Sequence, residues 1–194
     1  QLIVSMSLPM VIAMLVQACY NIVDSIYISR YSDAALAAVS YAFPAQNLMI
    51  GCATGIGVGV NSLLSRSLGE KNYKRANRCA GNGLILALFG YLIFLVFGLF
   101  FAGRFISFQT KTADIIECGR EYLSVCCVFS FGIFGEILFE RLMQATGRTL
   151  LTMFTQGIGA IVNILLDPVF IFGYFGLPAM GAKGAAIATV LGQI

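Results

Sequence analysis

Apolar residues are arranged along this chain in long runs, and the runs have the length of membrane-spanning helices. A transmembrane helix needs about 20 consecutive, mostly apolar residues. Runs of this kind cover residues 2–29, 34–65, 79–103, 122–143, 149–174 and, incompletely, 184–194. The pattern therefore predicts an all-α membrane protein, a bundle of about six transmembrane helices. The polar segments 66–78 and 144–148 are predicted to be loops on one side of the membrane.

The last run is too short to cross a bilayer. At about 1.5 Å per residue, residues 184–194 reach only about 16 Å, roughly half of a hydrocarbon core. The chain also begins with Gln1, inside an apolar run. We therefore expect a fragment of a longer protein, with the sixth helix truncated.

Composition supports the membrane prediction and argues against several kinds of function. Hydrophobic residues make up 59% of the chain and charged residues only 11%, with a mean hydropathy of +0.88, whereas soluble domains carry about 25% charged residues. The absence of histidine removes the usual general base and the commonest metal ligand. With a net charge of only +3, nucleic acid is not an expected partner. The six cysteines form no CxxC pair and are expected to be small buried side chains.

The distribution of basic residues predicts the orientation in the membrane. Segment 66–78 contains five basic residues and one acidic residue, Glu70, and Arg148 lies in the second predicted loop. By the positive-inside rule both loops are cytoplasmic, and so is the N-terminus. We expect a multi-pass protein of the cell membrane.

Polar residues inside the first predicted span form a stripe along one helix face. Gln17, Asn21 and Asp24 are spaced i, i+4 and i+7, and Tyr20 adds a hydroxyl group beside them. A carboxylate within a membrane costs at least about 2.5 kcal/mol and usually faces a cavity or a bundle interior. We therefore predict that this stripe lines a cavity. Polar contacts between helices would explain the amides but explain Asp24 less well.

The fifth span repeats this arrangement with Asn163 and Asp167 at i and i+4, directly followed by Pro168. Proline removes a helical hydrogen bond, so a kink is expected here and at Pro9 in the first span. Kinked helices at membrane depth commonly form proton or cation sites. In the fourth span, Glu136 and Glu140 lie toward the cytoplasmic end beside Arg141, and an interfacial location is the simpler explanation for them.

Glycines at Gly51, Gly55 and Gly59 are spaced at i, i+4 and i+8 in the second span. The run lacks the GxGxxG register and the strand of a nucleotide site. The spacing instead predicts close packing between helices.

Several motifs, in order along the chain, resemble the multidrug and toxic compound extrusion (MATE) family. Pro9, Gln17 and Asp24 have the spacing of that family's kink proline, cavity glutamine and acidic residue. Further matching segments are 23–28, 57–62, 67–70, 144–147, 163–168 and 181–189. The resemblance implies that the chain is the N-terminal lobe, residues 1–194, of a two-lobe, twelve-helix transporter.

The resemblance also implies a function, which is export of cationic or amphipathic drugs and toxic compounds by H⁺ or Na⁺ antiport. The family's cation site would correspond to Asp24, Asn163, Asp167 and Thr189. The expected partners are small substrates, membrane lipids and the C-terminal lobe. We expect no enzymatic activity, no cofactor beyond the coupling ion, and no metal beyond possible Na⁺. The alternatives are a lipid-linked saccharide flippase of the same superfamily, for which basic cavity residues would be expected, and a non-transporting membrane scaffold.

Overall fold

The fold was determined as a computed structural model that describes residues 2–174 and 178–193. In these ranges the secondary structure consists of eight α-helices and no strand, which confirms the all-α prediction. The helices are α1 (Leu2–Tyr31), α2 (Asp33–Gly69), α3 (Tyr73–Phe100), α4 (Ala102–Gln109), α5 (Ala113–Val128), α6 (Phe131–Ala145), α7 (Thr149–Phe172) and α8 (Ala182–Gln193).

Within the described ranges, α1, α2, α3 and α7 are each long and apolar enough to cross a membrane. The pair α5 and α6 makes a fifth span when it is taken as one unit, bent by 46°. The described part of α8 is 12 residues long, about 18 Å, which is shorter than a bilayer core. Large apolar side chains such as Ile85, Phe89 and Phe100 are exposed on the helix surfaces, as expected where the surroundings are lipid.

The helix bounds differ from the predicted spans in the middle of the chain. The predicted span 122–143 is two helices, which meet at Phe129 and Ser130, and α5 begins already at Ala113. The short helix α4 was not predicted. Most of segment 66–78 is helical as well, so that only residues 70–72 connect α2 to α3. Apolar content does not reveal such breaks, because Phe129 and Ser130 at the bend are neither proline nor glycine.

Two apolar clusters hold the bundle together. The first lies where α1, α2, α5, α7 and α8 converge and includes Ile28, Ala42, Leu123, Ile171 and Ala185. The second lies between α2, α3 and α6 and includes Val60, Phe94 and Leu138. Alanine is frequent in both clusters, which allows the helix backbones to approach closely.

No described residue packs closely against Gly51, Gly55 or Gly59, and the helix packing predicted for them stays a prediction. A Cβ atom added at any of the three would meet nothing within 4 Å, and all three positions are exposed. The buried face of α2 passes instead through Ala53, Gly57 and other residues of the same stripe. Successive residues turn by about 100° around a helix, so Gly55 and Gly57 are about 200° apart and point to opposite sides.

Candidate functional site

The predicted acidic residues Asp24 and Asp167 come from two helices that pack along each other, α1 and α7. Both side chains are buried, with 9% exposure for Asp24 and 0% for Asp167. The charge of Asp24 acts on the Asp167 carboxyl group, so the two groups lie within electrostatic reach of each other. The structure therefore brings together two residues that are far apart in the sequence.

Close packing between α7 and α8 places the rest of the predicted site. A Cβ atom at Gly159 would overlap the backbone carbonyl of Gly192, and one at Gly184 would overlap that of Phe170. Only glycine allows such close contact between the two backbones. As a result, Thr189 on α8 lies against Asn163 on α7.

Asn163 connects the groups of the site by hydrogen bonds. With its amide nitrogen facing Asp167, it donates to Asp167 Oδ2 at 3.2 Å, and its oxygen accepts from the Thr189 backbone N–H at 3.2 Å. In the opposite amide orientation, Nδ2 donates to the Thr189 hydroxyl group at 3.4 Å. The Thr189 hydroxyl itself donates to the carbonyl of Ala185 at 2.9 Å.

One oxygen of each aspartate has no partner. Asp24 Oδ1 and Asp167 Oδ1 are buried and accept no hydrogen bond from any described residue. The two ion pairs among the described residues both involve Glu70, on the surface between α2 and α3. A buried carboxylate without a counter-charge is strongly unfavourable. These oxygens therefore favour a bound proton or a cation.

Asp24 has polar neighbours that the sequence analysis did not identify. Its charge acts on Tyr122 and Cys126 of α5. Gln46 of α2 donates through Nε2 to the Tyr122 hydroxyl at 3.1 Å and to Cys126 Sγ at 3.4 Å. A glutamine and a tyrosine inside apolar helices were signals available in the sequence, but their pairing across α2 and α5 was not.

A small, partly open cavity lies beside this site. Its volume is about 20 Å³, and its polar lining includes Gln17, Tyr20, Glu136, Gln156, Asn163 and Thr189. A cavity of this size has room for about one water molecule. Of the residues predicted to line a cavity, Gln17 and Tyr20 line this one.

Asn21 and the two prolines at the predicted kinks lie outside the lining of this cavity. Asn21 is exposed and does not line the cavity, although its direction on α1 differs by only about 40° from that of Gln17. Helix α7 continues through Pro168 to Phe172, and α1 likewise includes Pro9. Both prolines thus lie inside continuous helices, and the kinks predicted at them stay predictions.

The chain is similar to known membrane transporters along most of its length. The sequence model of the family described as MatE matches residues 9–169. A probable multidrug resistance protein, YoeA, of Bacillus subtilis is 28% identical over 98% of this chain. The FAD transporter of Shewanella oneidensis is 27% identical, also over 98% of this chain. The chain spans 42% of the length of either relative.

Solved structures give the same relationship at the level of the fold. An outward-facing multidrug resistance MATE family transporter of the MOP superfamily aligns with a TM-score of 0.92 and 30% identity. That alignment covers 100% of this chain and 42% of the other. A MOP superfamily transporter from Pyrococcus furiosus aligns with a TM-score of 0.91 and 31% identity, and it is described as having a binding pocket of reversed polarity. That alignment covers 99% of this chain and 42% of the other.

Proposed function

The chain belongs to the MatE family, and from this membership we propose that it is the N-terminal lobe of a cation-coupled antiporter. Members of this family are transporters and not enzymes, and the chain is an integral membrane protein. The proposed activity is export of cationic or amphipathic compounds, driven by inward movement of H⁺ or Na⁺. The C-terminal lobe would complete the transport path.

One observation carries the proposal, namely the pair of buried aspartates without counter-charges. Asp24 and Asp167 each keep one unpartnered oxygen, and Asn163 and Thr189 add amide and hydroxyl oxygens beside them. A carboxylate in such surroundings is stabilised by protonation or by a hard cation such as Na⁺. A site that binds a cation at one stage of a cycle and releases it at another is what coupling requires.

The acidic side chains at the proposed site, Asp24, Asp167 and Glu136, favour a cationic cargo over an anionic one. Among the described residues that line the small cavity, the ionisable side chains are Glu136 and Tyr20, and none is basic. A flippase for lipid-linked saccharides would need cationic groups for phosphate. The same reasoning makes the anionic cargo named for the Shewanella relative a poor match for this lobe.

Separate ion gradients provide the test. The full-length protein in everted membrane vesicles should transport a cationic dye when ΔpH or a Na⁺ gradient is imposed, and it should not transport FAD under either gradient. The rate without a gradient serves as the control. Absence of gradient-driven dye transport would contradict the proposal. Transport of FAD without transport of the dye would show that the cargo is anionic and not cationic.

The proposed topology has the N-terminus in the cytoplasm. Helices α1, α3 and α7 then run outward, and the connection between α2 and α3 faces the cytoplasm. The cluster of Arg66, Glu70 and Arg75 lies at this connection, and its excess of basic residues is typical of a cytoplasmic side.

Two exposed lysines allow the topology to be tested with matched variants. In a cysteine-free background, Lys111→Cys should react with a membrane-impermeant maleimide added to intact cells, whereas Lys74→Cys should react only after permeabilisation. Both side chains are exposed, so a difference in labelling reports the side of the membrane. Labelling of position 74 from outside would show that the orientation is reversed.

A further inference from the structure

Glu136 was assigned from the sequence to the membrane interface, but the structure places it at the cavity. Together with Tyr20, Asn163 and Thr189 it lines the small cavity beside the aspartates. The side chain is half-buried on α6. Glu136 therefore faces the same polar region as the proposed coupling site and approaches it from another helix.

The neighbouring acidic residue on α6 is different, because it has a partner. Glu140 accepts a hydrogen bond from Gln144 Nε2 at 2.7 Å, and Gln144 Oε1 accepts from Arg141 Nη1 at 2.8 Å. Glu136 has no hydrogen bond or ion pair with any described residue. Of the two glutamates, only Glu136 is left without a partner at the cavity.

Tyr20 connects Glu136 with the aspartates. Tyr20 lines the cavity together with Glu136, and its hydroxyl group lies within electrostatic reach of Asp24 and Asp167. It precedes Asp24 by about one helical turn, or about 6 Å along α1. A tyrosine hydroxyl can donate and accept a hydrogen bond at the same time. Tyr20 thus shares the cavity with Glu136 and helix α1 with Asp24.

The other groups that face Glu136 carry little charge. From α7 these are Gln156 and Asn163, and from α8 they are Thr189 and Gln193, all uncharged. From α1 they are Gln17 and Tyr20. The charged neighbours on α6 itself are Glu140 and Arg141. Both form hydrogen bonds with the side chain of Gln144.

We propose that Glu136 is a third protonatable carboxylate of the transport path and exchanges a proton with the Asp24–Asp167 pair across the cavity beside Tyr20. The proposal rests on the proposed cation-coupled function. In the exchange, the Glu136 carboxyl group loses its proton and becomes a carboxylate. The Tyr20 hydroxyl, or one water molecule in the cavity, accepts this proton while it gives up its own. That second proton binds to Asp24 or Asp167, so that the summed charge of the three carboxyl groups does not change.

The test compares Glu136→Gln with the matched control Glu140→Gln in the full-length protein in liposomes. In Glu136→Gln, dye export driven by ΔpH should fall about tenfold or more, and its pH profile should lose one transition. The Kd for the dye should stay within about twofold of the wild-type value. Glu140→Gln should export at close to the wild-type rate. Glu136→Asp, which restores a carboxylate, should recover most of the lost rate.

Other results would overturn the proposal in recognisable ways. A wild-type rate and pH profile in Glu136→Gln would show that the residue takes no part in proton movement. A Kd raised about tenfold with an unchanged pH profile would mean that Glu136 binds cargo instead. A lowered Tm in both Glu136→Gln and Glu136→Asp would assign it a structural role. Wild-type export driven by Na⁺ alone would refute the proton exchange but leave the antiport function intact, whereas absence of any gradient-driven export would refute both.

Discussion

Replacement of Asp167 by asparagine is expected to abolish gradient-driven export, with a loss of about a hundredfold or more. Asparagine has nearly the volume of aspartate, and it can still accept the hydrogen bond that Asn163 donates at 3.2 Å. What it loses is the ability to bind a proton and the charge that would hold Na⁺. The protein should therefore remain folded and bind its cargo, while ΔpH and Na⁺ gradients no longer drive transport.

The measurement is the initial export rate against each imposed gradient, together with Tm and the Kd for a cationic dye. Asp33→Asn is the matched control, because it makes the same chemical change at an exposed position at the start of α2. It should export at the wild-type rate. If Asp167→Asn also exports normally under both gradients, Asp167 is not part of the coupling site.

Asp24→Asn is expected to resemble Asp167→Asn, and the double variant should be little worse than either. The two carboxyl groups lie within electrostatic reach of each other. When two residues act as one unit, removing either one already abolishes the activity, and removing the second adds little further loss. Export rates of the two single variants and the double variant give this comparison directly. Clearly multiplicative losses would show that the two aspartates act independently.

The sequence was sufficient to identify the polar residues of α1 and α7, but not all of their neighbours. Asp24, Asn163 and Asp167 stand out because each interrupts an apolar helix, and such interruptions are costly in lipid. Helical periodicity also placed Gln17 and Asp24 on one face. It did not show which residues of that face point into the small cavity, and Asn21 is exposed and lies outside the lining.

Contacts between helices could not be predicted from periodicity within single helices. The link from Gln46 to Tyr122 and Cys126 depends on how α2 meets α5. The location of Glu136 depends on the bend of 46° between α5 and α6, which no proline marks. Likewise, the i, i+4 spacing of glycines in α2 predicted a helix contact at Gly55, which is exposed. The glycine of α2 that lies close to another helix is Gly57, near Ile137 and Arg141 of α6.

The contact between α7 and α8 is where a minimal change should have the clearest structural effect. The Phe170 carbonyl accepts the backbone N–H of Met180 at 3.1 Å, and the Ile171 carbonyl accepts that of Gly181 at 3.2 Å. These bonds hold the start of α8 against the end of α7. Gly184 lies one turn further along α8, directly against the Phe170 carbonyl. The location of Thr189 beside Asn163 depends on this contact.

Gly184→Ala should therefore destabilise the protein by about 1–3 kcal/mol, because the new methyl group overlaps backbone atoms that cannot turn away as a side chain could. Gly157→Ala in α7 is the matched control, since a Cβ atom there meets nothing within 4 Å. Alanine is favoured over glycine within a helix by roughly 0.5–1 kcal/mol, so the control should be slightly stabilised. The same substitution is thus expected to shift Tm in opposite directions at two positions of one helix pair.

Because Thr189 would move away from Asn163, Gly184→Ala should also slow gradient-driven export, and Gly157→Ala should not. An unchanged or raised Tm for Gly184→Ala would show that α7 and α8 can separate without cost, and the arrangement of Asn163 and Thr189 would then need another support.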